Sequence, residues 1–160
     1  MRTSELTKFI ISVAVCLLAG LVGSFFTTPA IPGWYASLDK PWFTPPNQLF
    51  GPVWTALYVL MGVSAFLVWR RGLGTPWAQL GLLAFAVQLV LNVGWSVLFF
   101  GLRSPEGGFV EITILWVAIL ATLVNFRRVS RTAAVLLIPY LVWVSFAAIL
   151  NFSIMRLNPR

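Results

Sequence analysis

Five apolar runs, each long enough to cross a bilayer, constrain this chain more than any other feature. They cover about residues 9–28, 51–69, 76–101, 107–126 and 132–155. A transmembrane helix needs about 20 mostly apolar residues. In hydrocarbon no water satisfies a free backbone N–H or C=O, so such runs fold as helices rather than as open sheet. Charged residues make up only 9% of the chain, whereas soluble domains carry about 25%. The expectation is an all-α, polytopic membrane protein: five transmembrane helices in one bundle, a single domain over residues 1–160, with a long lid-like loop between the first and second helices.

The first run follows Arg2 and Lys8, as a signal peptide would. Its length, and the poor match of Thr28-Pro29-Ala30 to a small-x-small cleavage site, favour a retained helix. The later connections are about five or six residues long, which makes successive helices antiparallel neighbours. An odd number of spans puts the termini on opposite sides. The N-terminal side carries Arg2, Lys8, Arg70, Arg71, Arg127, Arg128 and Arg131; the other carries Lys40, Arg103, Arg156 and Arg160. The positive-inside rule then places the N-terminus in the cytoplasm. A bacterial-type cell membrane is favoured over a mitochondrial outer membrane, and helical spans argue against a bacterial outer membrane of the barrel type. The net charge of +7 is read as this topology signal. The bases occur as short clusters between apolar runs, so no nucleic-acid partner is expected.

The side-chain inventory excludes most chemistry. The chain has no His and one Cys, Cys16, so neither a zinc site of the usual ligands nor an intrachain disulfide can form. Four acids in all, none clearly in the core, leave no hydrolytic or group-transfer constellation. Glu111, near the start of the fourth span, is expected to reach the interface or to pair with Arg103. Two small-residue rows, Ala19/Gly20/Gly23/Ser24 and Ala78/Gly81/Ala84, fit close helix approach inside the bundle or at a dimer contact.

Helical spacing gathers aromatic and amide residues onto shared faces. Trp54 and Tyr58 lie together on the second helix, and Gln88, Asn92, Trp95 and Phe99 on the third. Trp143, Ala147 and Asn151 lie together on the fifth, with Phe146 as a further candidate contact. An amide at mid-bilayer depth needs a partner. Two readings stand: interhelical glue, or polar anchors in an aromatic-walled pocket suited to a flat, mostly apolar ligand.

The motifs WYASLDKPWFTPP, FGPVWTALYVLMG, QLVLNVGWSVLFF and PYLVWVSFAAILN, in this order, resemble the tryptophan-rich sensory protein/translocator protein family, once called the peripheral benzodiazepine receptor. The resemblance covers roughly residues 33–158. It implies a five-helix membrane receptor or sensor, commonly a homodimer. Such a protein binds porphyrins (protoporphyrin IX, haem) and other flat hydrophobic ligands, and in some bacterial members promotes light- and oxygen-dependent porphyrin breakdown. It implies a pocket of Tyr35, Pro45 and Phe50 from the loop, Trp54 from the second helix, Asn92 and Phe99 from the third, and Trp143 and Ala147 from the fifth. Trp54 and Trp143 are the two indoles it links to degradation, and the 33–50 loop would fold over the helix mouths as a lid, with its Trp34, Tyr35 and Trp42 allowing it to pack as a cover. Porphyrin or haem enters as ligand and no cofactor is required; axial ligation by His is excluded. The family also binds sterols, but here Phe152 stands before Arg156 where the sterol motif has Tyr, so sterol binding is not expected. Met155 replaces a frequent Trp, and the loop reads P-W-F-T-P-P rather than the commoner small residue followed by Trp. Competing readings are an enzyme using Trp photochemistry, a transporter of porphyrins or other hydrophobic molecules, and a structural partner protein.

Overall fold

A computed structural model describes residues 4–159 of the chain; Arg2 and Arg160, counted above in the charge balance, lie outside the described residues. Five helices follow one another: α1 (Glu5–Ala30), α2 (Asn47–Trp69), α3 (Pro76–Ser96), α4 (Pro105–Val129) and α5 (Arg131–Leu157). Each is long and apolar enough to cross a membrane.

Two of them extend through a wider, π-helical turn. α1 continues over Ile31–Tyr35 and α3 over Val97–Gly101. Pro29 and Pro32 each remove one N–H from the helical ladder, and the wider turn takes up the mismatch. The first helix therefore runs well past residue 28, where the apolar run was expected to end. The connector shrinks accordingly from 33–50 to about 38–46. At the end of α3 the Leu102 N–H reaches back five residues to the Val97 carbonyl (2.8 Å). Arg103 then turns the chain in the left-handed region (φ 53°). α4 and α5 share a single linking residue, Ser130, whose hydroxyl accepts from the Ala133 N–H (3.3 Å).

The helices close into a ring: α1 packs on α2, α2 on α5, α5 on α4, α4 on α3 and α3 on α1. The half of the bundle that holds the N-terminus is dense. Met61, Val68, Ala78, Ile119, Phe126 and Ala133 are fully buried there. α1 and α2 touch along their backbones, because a Cβ at Gly62 would stand 2.6 Å from the Val13 Cα. Phe9 meets Phe66 edge-on at 5.4 Å, and Glu5 pairs with Arg70 at 3.3 Å. The Ser64 hydroxyl donates to the Ala133 carbonyl (2.7 Å) and ties α2 to α5. The Ala78/Gly81 row is used inside the bundle: Ala78 is fully buried and Gly81 lies against the Phe126 ring.

Gly62→Val should therefore lower the melting temperature of the detergent-solubilised protein. The clash is with backbone, and overpacking of this kind costs about 1–3 kcal/mol. Gly33→Ala, where a Cβ meets nothing within 4 Å, should change stability by no more than about 0.5 kcal/mol. Circular dichroism melts of the two variants make the comparison.

Candidate ligand cavity

Toward the 38–46 connector the ring loosens, and a cavity of about 430 Å³ opens between α1, α2, α3 and α5. Small-molecule sites typically measure about 300–1,000 Å³. α4 supplies none of its lining; it stands behind α3 and α5 and fixes them.

The candidate faces converge here. Phe50, Trp54 and Tyr58 line the α2 wall, and Asn92, Trp95 and Phe99 the α3 wall. Trp143, Phe146, Ala147 and Asn151 line the α5 wall, and Tyr35 comes from the end of α1. Most of these rings touch one another. Trp95 stacks on Phe99 (centroids 5.3 Å, planes 21° apart). Trp143 lies against Phe50 (6.1 Å) and Phe146 (5.5 Å), and Trp54 against Tyr58 (5.7 Å) and Tyr140 (6.3 Å). Such contacts orient each ring as well as bury it.

The amides are interhelical ties and cavity wall at once. Asn92 accepts a short hydrogen bond from the Tyr58 hydroxyl and donates to the Tyr140 hydroxyl (2.9 Å), which in turn donates to Gln88 Oε1 (2.8 Å). This relay joins α2, α3 and α5 through buried side chains. Asn151 accepts from the Trp95 indole (3.0 Å) and donates to the Pro105 carbonyl at the start of α4 (2.7 Å). Gly108 permits that approach, since a Cβ there would stand 2.9 Å from Asn151 Oδ1. The Trp143 indole nitrogen, by contrast, is buried without a hydrogen-bond partner.

The connector is fastened over this end of the bundle. The Asn158 side chain accepts from the Asp39 N–H (3.0 Å) and donates to the Asp39 carbonyl (2.9 Å). The Lys40 ammonium caps the end of α1, donating to the carbonyls of Tyr35 (2.9 Å), Ala36 (3.2 Å) and Leu38 (2.7 Å). A cation at a helix C-terminus is favoured by the exposed carbonyls and the helix dipole. Tyr35 is 3% exposed and packs on Phe99 and Phe100, and Phe43 packs on Phe146.

Several sequence expectations need correction. Gln88 is not in the wall, because Tyr140 lies between it and Asn92 in the relay. Pro45 is also outside the wall; it precedes α2 in the connector. Trp42 does not pack as a cover: it is 95% exposed, and the Phe43 ring lies edge-on to it. Glu111 does not reach the interface. It is 7% exposed, and neither carboxylate oxygen has a hydrogen-bond partner. Because α4 begins at Pro105, residue 111 falls about 9 Å into the helix, where its carboxyl lies against Gly94.

The sequence reading missed the fourth wall. Leu17, Gly20, Leu21, Gly23, Ser24 and Thr27 of α1 line the cavity. A signal was present, since Gly20, Gly23 and Thr27 share a face; it had been read only as helix-packing surface. Gly20 makes room for Tyr58, whose ring would lie 2.5 Å from a Cβ there.

The architecture defines an integral, multi-pass membrane protein whose helix bundle encloses an aromatic cavity of ligand size. The chain belongs to the TspO/MBR family, whose model matches residues 12–157. It is 45% identical over 159 residues to the tryptophan-rich protein TspO of Chlorobaculum tepidum, covering 97% of this chain and 98% of that one. It is 45% identical over 155 residues to the protein of the same name from Archaeoglobus fulgidus (96% and 99% covered). To the human translocator protein it is 40% identical over 142 residues (88% and 84% covered).

Asn92→Leu should destabilise the bundle, because it leaves two buried tyrosine hydroxyls short of a partner. Interhelical hydrogen bonds in membranes average about 0.6 kcal/mol and reach about 1.7, so two lost bonds predict a loss of about 1–3 kcal/mol. Asn125→Leu serves as the comparison, since the Asn125 amide donates to the Ala121 carbonyl of its own helix and, among the described residues, ties no second helix. Thermal-shift measurements in one detergent should rank Asn92→Leu clearly below Asn125→Leu.

Proposed function

We propose that this protein is a membrane receptor or sensor for porphyrins and other flat, mostly apolar molecules. One observation carries the reading: three indoles from three helices, Trp54, Trp95 and Trp143, stand in the wall of one apolar cavity. A packed core needs only aliphatic side chains, whereas large flat faces around a void suit stacking on a flat ligand. The Trp95 N–H is held by Asn151 and the Asn92 amide by the two tyrosines. The polar contribution to ligand binding is therefore small, and recognition rests on shape. Tyr58 and Tyr140 are engaged in the relay, and Met61 and Cys16 are buried core residues, so binding needs no iron ligation.

Light- and oxygen-dependent breakdown of the bound porphyrin belongs to the same reading, with Trp54 and Trp143 as the reacting indoles. The membrane would be a bacterial-type cell membrane, with the N-terminus in the cytoplasm and the connector outside. Assembly as a homodimer is part of the proposal. Sterols are left out of it: Phe152 lies against Phe109 and is not among the cavity residues. The alternative of a transporter is less well supported, because the half of the bundle below the cavity is filled by Met61, Val68, Ile119 and Phe126.

A titration of purified protein in detergent, followed by tryptophan fluorescence, tests the proposal. Iron-free protoporphyrin IX should quench saturably, and at least as well as haemin. Under illumination in air the porphyrin absorbance should decay. Trp54→Phe and Trp143→Phe should abolish that decay while weakening binding less than tenfold, about 1.4 kcal/mol. A strict need for iron, or undiminished decay in both variants, would refute it.

A further inference from the structure

We propose that the cavity opens sideways into the hydrocarbon of the bilayer, through a slot between α1 and α2, and that its ligands arrive dissolved in lipid. The ligand part of this inference rests on the receptor reading above; the opening itself does not.

The two helices meet and then part. They are in backbone contact at Gly62 and Val13, and Gly20 still abuts the Tyr58 ring. Beyond the Val13–Gly62 contact, residues that line the cavity are also exposed on the outer surface of the bundle. On α1 these are Leu17, Leu21 (53% exposed) and Thr28; on α2 they are Asn47, Gly51 and Thr55. Asn47, Gly51 and Thr55 recur every four residues and so form one edge, running down to Tyr58. That edge and the one from Leu17 to Thr28 are each about 16 Å long at helical rise. They belong to antiparallel neighbours, so they face each other as the sides of a slot. A Cβ at Gly51 would meet nothing within 4 Å, which marks open space at its margin.

The margin is suited to hydrocarbon. Three hydroxyls along it are satisfied within their own helices: Ser24 donates to the Leu21 carbonyl (2.6 Å), Thr27 to Gly23 (3.2 Å) and Thr55 to Gly51 (2.9 Å). They present carbon to the lipid and need no water. The opposite condition holds at the aqueous end. There the connector is clamped by Asn158 to Asp39 and by Lys40 to three carbonyls, with Phe43 set on Phe146. A molecule coming from water must break that cover, whereas one already in the bilayer would enter between two edges whose cavity-lining residues are exposed to lipid.

The test uses the full chain in phosphatidylcholine vesicles, where a fraction of the lipid carries a photoactivatable diazirine near the end of one acyl chain. After irradiation the adducts are mapped by peptide mass spectrometry. Adducts are expected on cavity residues such as Trp54 and Trp143, as well as on outward residues such as Leu18 and Val90. Adducts confined to outward residues would overturn the proposal, and this arm needs no variant. Gly51→Phe, which narrows the slot, should reduce the cavity adducts at least fivefold without changing those at Leu18; an unchanged cavity yield in the folded variant would count against the slot. Protoporphyrin IX added beforehand should protect Trp54 and Trp143. Cavity adducts that form but are not protected would leave the lateral opening standing and remove the porphyrin reading.

Discussion

Because no water reaches the middle of a bilayer, the Asn92 amide must find its partners on other helices, and it takes them from Tyr58 on α2 and Tyr140 on α5. That requirement fixes the distance between three helices at one level of the membrane. Tyr140 passes the constraint on to Gln88 and so back to α3. Above this level no hydrogen bond among the described residues draws α2 and α5 together, and the space between them is lined by rings rather than closed by interlocked aliphatic chains. The cavity is thus the consequence of a polar tie at its floor. Remove the tie and three walls lose their common reference, whatever happens to the stacking residues.

The two halves of the bundle solve the packing problem in opposite ways. In the half that holds the N-terminus, Gly62 lets its backbone touch that of Val13, and Gly81 lets the Phe126 ring in close to α3. Close approach of this kind is the main source of affinity between helices in lipid, where apolar side chains gain nothing by leaving a solvent as apolar as themselves. In the other half the small residues of α1 bring in no neighbouring backbone. Gly20 yields to the Tyr58 ring, and Gly23 lies near the Ser96 side chain. The same residue type closes a helix pair at one end and shapes a void at the other. The difference is what stands opposite it.

How much of this was legible before the fold was known depends on the kind of signal. The spans were plain, since nothing but a helix satisfies a 20-residue apolar run in lipid. The faces carrying Trp54, Asn92 and Trp143 were also readable, because the 3.6-residue period fixes which side chains share a side. Period alone does not say which face turns inward when both faces are apolar; amides and indoles broke that symmetry on α2, α3 and α5. α1 has no such marker, so its wall went unread although Gly20, Gly23 and Thr27 lie on it. Gln88 was misplaced for a related reason. It lies on the Asn92 face, but Tyr140 from another helix stands between them, and sequence spacing carries no information about side chains reaching across. The end of α1 falls later than its apolar run of about 9–28 indicates, because a π turn carries the helix on to Tyr35. Glu111 reads as near the interface because the fourth apolar run starts only a few residues before it. Its actual depth follows from where α4 starts, a boundary fixed by Ser104, whose hydroxyl accepts from the Gly107 N–H.

The indoles divide into two kinds, and the division bears on how the cavity treats a guest. Trp95 is held at both its polar and its flat surfaces: its N–H is bound by Asn151, which is itself bound to the Pro105 carbonyl, and its face is stacked on Phe99. Trp116, outside the cavity, is likewise fixed to Ser145 (2.8 Å). Trp143 has no such anchor; Phe50 and Phe146 hold it by ring contacts alone, and its N–H has no partner. Ring contacts without a hydrogen bond leave a side chain freer to tilt, since edge-to-face geometry is tolerated over a broad range of angles and distances. The cavity thus has one rigid wall on α3 and one adaptable wall on α5. Under the receptor reading proposed above, a flat guest would be set in position by the first and accommodated by the second, so selection would act on planarity and apolar bulk more than on the substituents at a ligand's edge.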